Sequence, residues 1–235
     1  MAVLTTLISC WIALTSNAMD AGAPATQQGD LPHASGFRPS QHGFQYANAF
    51  RYPSFLPDRW YGLCGGMSCA AADAFLAGVS LPDQVAAPTF GSRRHRALVK
   101  RQLASLGLLA TDVMRYGWWM ARGDRSLARA TLKEADGIIE RVVRGEFVVL
   151  GLVQESWWER PDITGNHQVL AYAVADSQPR AVRIYDPNFP GNDDVVMEFR
   201  ATEHGVEAWS VVPDWRTRRI RGVFATGYRP QPPMR

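Results

Sequence analysis

The sequence predicts an α+β domain in which N-terminal helices pack on a C-terminal antiparallel sheet. Two observations predict it. Helix-like periodic segments fill the first two thirds of the chain, and apolar β-branched runs of strand length fill the last third, segregated rather than alternating as βαβ units. With 235 residues, 46% hydrophobic and 20% charged, the chain is long and apolar enough for one domain with a substantial core.

Taken in order, residues 1–43 read as a flexible arm and 44–230 as the domain. The segment from residue 19 to about 48 is rich in Ala, Gly, Pro, Gln and Ser without apolar periodicity. Val3 to Leu14 is apolar, with Ser16 and Ala18 at a plausible cleavage point, yet no Lys or Arg precedes it and Met19 offers an alternative start. Secreted and cytoplasmic locations are therefore equally compatible with it. No run approaches the roughly 20 apolar residues of an integral membrane span.

Structure is expected from Phe44. The alanine-rich run after Cys64 is a strong helix former, with Gly78 as its stop. Arg93 to Leu106 places Ala97, Leu98, Leu103 and Leu106 among basic residues, an amphipathic helix ending at Gly107. Residues 125–144 continue as a helix, weakened by Gly137. Strands are expected at Phe147 to Val153, Gln168 to Val174, Val182 to Tyr185, Val195 to Phe199 and Gly222 to Tyr228.

The formal net charge is +3, but basic residues cluster at Arg93 to Arg101 and Arg216 to Arg221. Neither cluster carries interleaved stacking aromatics, so both read as solvated surface, and no nucleic-acid partner is expected. No glycine-rich nucleotide loop is present. Cys10, Cys64 and Cys69 match no zinc spacing and cannot all pair, so no metal or cofactor is expected and at least one thiol is free. Nothing in the chain sets an oligomeric state.

Cys64 sits between Gly62-Leu63 and Gly65-Gly66-Met67 at a helix entrance, where the positive end of the helix favours a thiolate. Gly65 and Gly66 are expected to leave the sulfur approachable and their N–H groups free for an oxyanion. Cys69 lies about 140° around the helix and reads as a core residue. His167 follows Gly165-Asn166 where a loop becomes a strand, a suitable place for a general base. Asp186 ends the strand Val182 to Tyr185, so a hairpin return brings it toward His167 to orient the imidazole, with Asn188 in reserve. Trp118, Trp119, Trp157, Trp158, Trp209 and Trp215 supply aromatics for core or cleft.

The segments Gly62-Leu63-Cys64-Gly65-Gly66-Met67, Asn166-His167-Gln168-Val169-Leu170 and Tyr185-Asp186-Pro187-Asn188, in that order, resemble the papain-like cysteine peptidase superfamily. The histidine and Asp-Pro segments are most similar to peptidase domains that process bacteriocin leaders. The cysteine segment resembles an uncharacterised bacterial and fungal group. The resemblance runs from about residue 42 to 228 and implies a papain-like fold, with Cys64 as nucleophile, His167 as general base and acid, and Asp186 as orienting group. The substrate it implies is a peptide or another acyl compound. Such peptidases usually carry a glutamine six residues before the nucleophile, where this chain has Asp58. An oxyanion donor is therefore sought in Gln154, Asn166 or backbone N–H groups. A catalytically inactive papain-like fold used as a binding module is the alternative.

Overall fold

The structure, a computed structural model, describes residues 34–51, 60–82, 84–107, 111–175 and 180–234. Five α-helices occur among them: α1 (Pro39–His42), α2 (Cys64–Leu76), α3 (Arg93–Ser105), α4 (Thr111–Met120) and α5 (Asp124–Val143). Two short strands, β1 (Phe50–Arg51) and β2 (Trp60–Tyr61), pair as an antiparallel ribbon ahead of α2. The remaining strands are β3 (Val148–Val153), β4 (His167–Val174), β5 (Ala181–Tyr185), β6 (Val196–Thr202), β7 (Gly205–Val212), β8 (Arg216–Ile220) and β9 (Gly222–Ala225).

These seven strands form one antiparallel sheet in the order β8-β7-β6-β5-β4-β3-β9. Ile220 and Gly222 are separated by one residue, yet their strands stand at opposite ends of that order. A sheet so connected must curl until its two edges approach. The α+β arrangement expected from the sequence is thus observed, with the helices first and the sheet last.

β3 is buried along its whole length because both faces are covered. Phe147, Val149, Leu170, Tyr172 and Tyr185 pack on one side against Met67, Ala70, Ala71 and Ala74 of α2. Val148, Leu150, Val169, Ala171 and Ile184 turn the other way, toward Ala135, Ile138 and Val142 of α5 and the inner residues of β6 to β8. Helix α2 is buried without interruption from Gly65 to Ala74, and its small side chains let sheet and α3 close on it from different directions. The predicted stop holds: Gly78 adopts φ +65, and the next N–H, that of Val79, returns 3.0 Å to Ala74 O. Ser92 caps α3 by accepting the His95 N–H at 3.2 Å.

Three expectations need revision. Part of the segment read as a flexible arm belongs to the packed body: Ala34 N–H donates to Gly145 O at 3.0 Å, and Phe37 is fully buried among Phe75, Phe147, Tyr172 and Tyr185. One aromatic anchor suffices to hold a segment whose remaining composition is that of a loop. The basic run in α3 is not all solvated surface, because Arg101 is buried and paired with Asp73 at 2.6 Å. The run Arg216 to Arg221 is exposed through Arg219, as solvated surface should be, but it forms strand β8, for which no strand was expected. Residues 1–33 and Asp58 lie outside the described residues.

Candidate active site

The entrance of α2 is built by residues on both sides of it. Leu63 precedes the helix in a non-helical conformation and has no capping side chain of its own. Its N–H donates instead to Asn48 Oδ1 at 2.5 Å, and a Cβ on Gly62 would stand 2.7 Å from the same Asn48 amide. Asn48 thus fixes the chain as it enters the helix, leaving the first turn to present Cys64, which is partly exposed.

The two glycines behind Cys64 serve packing, not access. A Cβ on Gly65 would lie 1.8 Å from Gln168 Oε1 and 2.2 Å from Ser105 Oγ, and one on Gly66 would lie 2.5 Å from the Leu98 carbonyl of α3. Only glycine permits that approach. The Gly66 N–H is also committed, donating to Gln102 Oε1 at 2.9 Å, so it is not the free oxyanion donor that the sequence suggested. Among the described residues the N–H groups of Cys64 and Gly65 have no hydrogen-bond partner, as expected for the opening turn of a helix.

His167 opens β4 opposite Leu152 of β3. Asp186 follows β5, whose Tyr185 pairs with Leu170, so the hairpin return delivers the carboxylate to the histidine. His167 Nε2 and Asp186 Oδ1 are 2.7 Å apart, and both residues are buried. Asp186 Oδ1 also accepts the Asn188 N–H at 2.9 Å, while the Asn188 amide lies 3.2 Å from His167 Nε2 and 3.3 Å from the Asn48 amide. On the other side Tyr116 of α4 donates its hydroxyl to the His167 carbonyl at 2.7 Å.

Cys64 lies close enough to His167 for its charge to act on the imidazole. Asp186 and Asn188 both engage Nε2, which leaves Nδ1 as the ring nitrogen they do not touch. Burial lowers the imidazole proton affinity, but the Asp186 carboxylate, negative charge on Cys64 and the hydrogen bond to Asp186 outweigh it and raise the pKa to about 10. Cys69 faces the interior five residues on, and burial pushes its thiol up to about 12. Of the residues singled out, His167 and Asp186 are thus in contact with Asn188 beside them, and Cys64 acts on the imidazole through its charge.

Asn166 is not available to the site. Its Oδ1 accepts from the N–H groups of Gln154 and Glu155, and its Nδ2 donates to Ile163 O and Met120 Sδ, which pins the loop before β4. Gln154 instead lines a cavity of about 310 Å³ in the hollow of the curled sheet, with His167, Asp186 and Asn188. Sequence reasoning missed Asn48, Tyr116 and Gln168. For Gln168 a signal existed, since alternation along β4 turns it away from the histidine's face and toward the helices, where Ser105 Oγ donates to it at 2.8 Å. For Asn48 and Tyr116 there was none. Comparison with family models, curated proteins and solved structures finds no match to this chain.

Proposed function

We propose that the protein is a thiol-dependent hydrolase or acyltransferase with a papain-like arrangement, most simply a cysteine peptidase. The observation that carries this reading is the buried His167–Asp186 pair at 2.7 Å, with the Cys64 thiol of the α2 entrance near enough for its charge to act on the imidazole. In the proposed reaction His167 already holds the proton given up by Cys64, and the thiolate attacks a carbonyl carbon. The imidazolium, stabilised by Asp186, then protonates the leaving group as its bond to the acyl carbon breaks. Water, giving its proton to the imidazole, cleaves the thioester and restores the thiolate. Negative charge on the carbonyl oxygen is assigned to the unpartnered Cys64 N–H at the helix opening, with the Gln154 amide as the side-chain donor in the adjoining cavity.

The test is acylation by a 4-nitrophenyl ester, followed by nitrophenolate release and intact mass. One acyl group per chain on Cys64 is expected, lost in Cys64→Ala and slowed by about a hundredfold or more in His167→Ala. Equal labelling of the Cys64→Ala protein would overturn the proposal.

A further inference from the structure

The cavity beside His167 has an asymmetric lining. Its apolar residues are Leu152 of β3, Val212 of β7 and Ile220 of β8, and its mouth carries Trp215, Arg216 and Arg218. Alternation along β8 places Arg216, Arg218 and Ile220 on one face, opposite Val212, Ser210 and Ala208 of β7. Thr217 and Arg219 turn the other way.

The two faces of this strand differ in charge balance. On the outer face Arg219 pairs with Glu207 at 3.0 Å and with Asp124 at 3.3 Å. The side chains of Arg216 and Arg218, on the cavity face, make no ion pair or hydrogen bond among the described residues. The one carboxylate lining the cavity, Asp186, is already engaged by His167. The mouth of the hollow next to the imidazole therefore carries two exposed guanidinium groups without a carboxylate partner, and Trp215, which meets Phe189 edge-on at 5.4 Å, walls its entrance.

We infer that this cavity binds a carboxylate-bearing acyl chain, so that the site accepts acidic acyl groups in preference to neutral ones. The inference rests on the acyl-transfer reading and specifies its substrate class. A volume of about 310 Å³ matches one side chain or a short acyl chain rather than a folded partner. The apolar floor takes the methylene segment, and the guanidinium forks at the mouth take the carboxylate, whose planar geometry they match. When the acyl group is delivered as an aryl ester, the sulfur–carbon bond forms and the ester C–O bond breaks. Nitrophenolate carries away the electron pair, and the thiol proton leaves through His167.

The experiment compares the 4-nitrophenyl monoester of glutaric acid with 4-nitrophenyl valerate, in the full chain. Acylation of Cys64 by the acidic ester is expected to be faster by roughly tenfold to a hundredfold, the range of a charged hydrogen bond. That preference should shrink in 0.5 M salt, by about the screening that a shortened Debye length implies. It should vanish in the Arg216→Ala/Arg218→Ala double variant and persist in Arg219→Ala. A second readout needs no turnover: glutarate should slow iodoacetamide alkylation of Cys64, and glutaramide should not. Equal rates for the two esters, with Cys64 acylated by both, overturn the substrate inference and leave acyl transfer standing. Failure of both esters to acylate Cys64 refutes the acyl-transfer reading, and absence of glutarate protection then refutes the acidic pocket as well.

Discussion

Substituting Asp186→Asn removes one charge from the site while keeping an oxygen where Asp186 Oδ1 now meets His167 Nε2 at 2.7 Å and the Asn188 N–H at 2.9 Å. The loss should appear as stability that depends on pH. The imidazole is lifted from an ordinary 6.5 to about 10, against the lowering effect of burial, by Asp186 with its hydrogen bond and by the charge on Cys64. At about 1.4 kcal/mol per tenfold change in proton affinity, the whole lift corresponds to about 5 kcal/mol. Asp186 supplies only part of it, and breaking a buried ion pair by removing one partner costs about 3–5 kcal/mol, so about 3 kcal/mol is the expected loss.

Its sign with pH follows from linkage. A group that binds its proton more tightly in the folded state stabilises that state in full below its unfolded pKa of about 6.5, and the contribution is lost as pH rises through about 10. The gap between parent and variant should therefore be widest near pH 6 and close toward pH 10. Urea unfolding followed by tryptophan fluorescence at several pH values measures it, with an unchanged slope confirming that the same surface is exposed. A gap smaller than about 1 kcal/mol near pH 6, or one that widens as pH rises, would refute the reasoning.

Iodoacetamide near neutral pH should modify Cys64 at least about tenfold faster than Cys69, since the second thiol is enclosed and pushed up to about 12; peptide mapping reads the ratio. Gly65→Ala should destabilise by about 1–3 kcal/mol or more because its Cβ would meet Gln168 and Ser105, exceeding the ~1 kcal/mol helix-propensity gain. Gly137→Ala, at an exposed position of α5 with open space around it, should instead stabilise by about 0.5–1 kcal/mol in the same thermal or urea unfolding assay. Asp73→Ala should cost about 3–5 kcal/mol, leaving Arg101 buried without its carboxylate. It should also release the C-terminal segment that Tyr228 and the Gln231 N–H tie to Asp73, which limited proteolysis detects.

The central residues were legible because each carries a local signature. Cys64 is flanked by glycines at the head of an alanine-rich helix, His167 follows a turn into an apolar strand, and Asp186 closes another strand before Pro187. The meeting of His167 and Asp186 depends on a single hairpin, and antiparallel return is the simplest topology for two consecutive strands. What was illegible depends on partners distant in sequence. Gly65 announces a close approach, but nothing local says that Gln168, about a hundred residues later, is what approaches. Strand β8 has four polar, exposed residues in five and reads as surface, because its strand identity comes from pairing with β7. Asn48 falls in a segment without periodicity, and its role becomes visible only when the Leu63 N–H is traced to its acceptor.

The one-residue passage from Ile220 to Gly222 has a mechanical consequence. It works as a hoop: β8, which carries the arginines, and β9, which is bonded to the β3 strand facing the histidine, cannot separate without breaking pairing on one side or the other. Arg221 tightens that joint, its guanidinium donating to the Glu155 and Arg122 carbonyls at 2.6 and 3.0 Å. The hollow is thereby held near constant girth, and any yielding falls to the Trp215 and Phe189 rings at its lip.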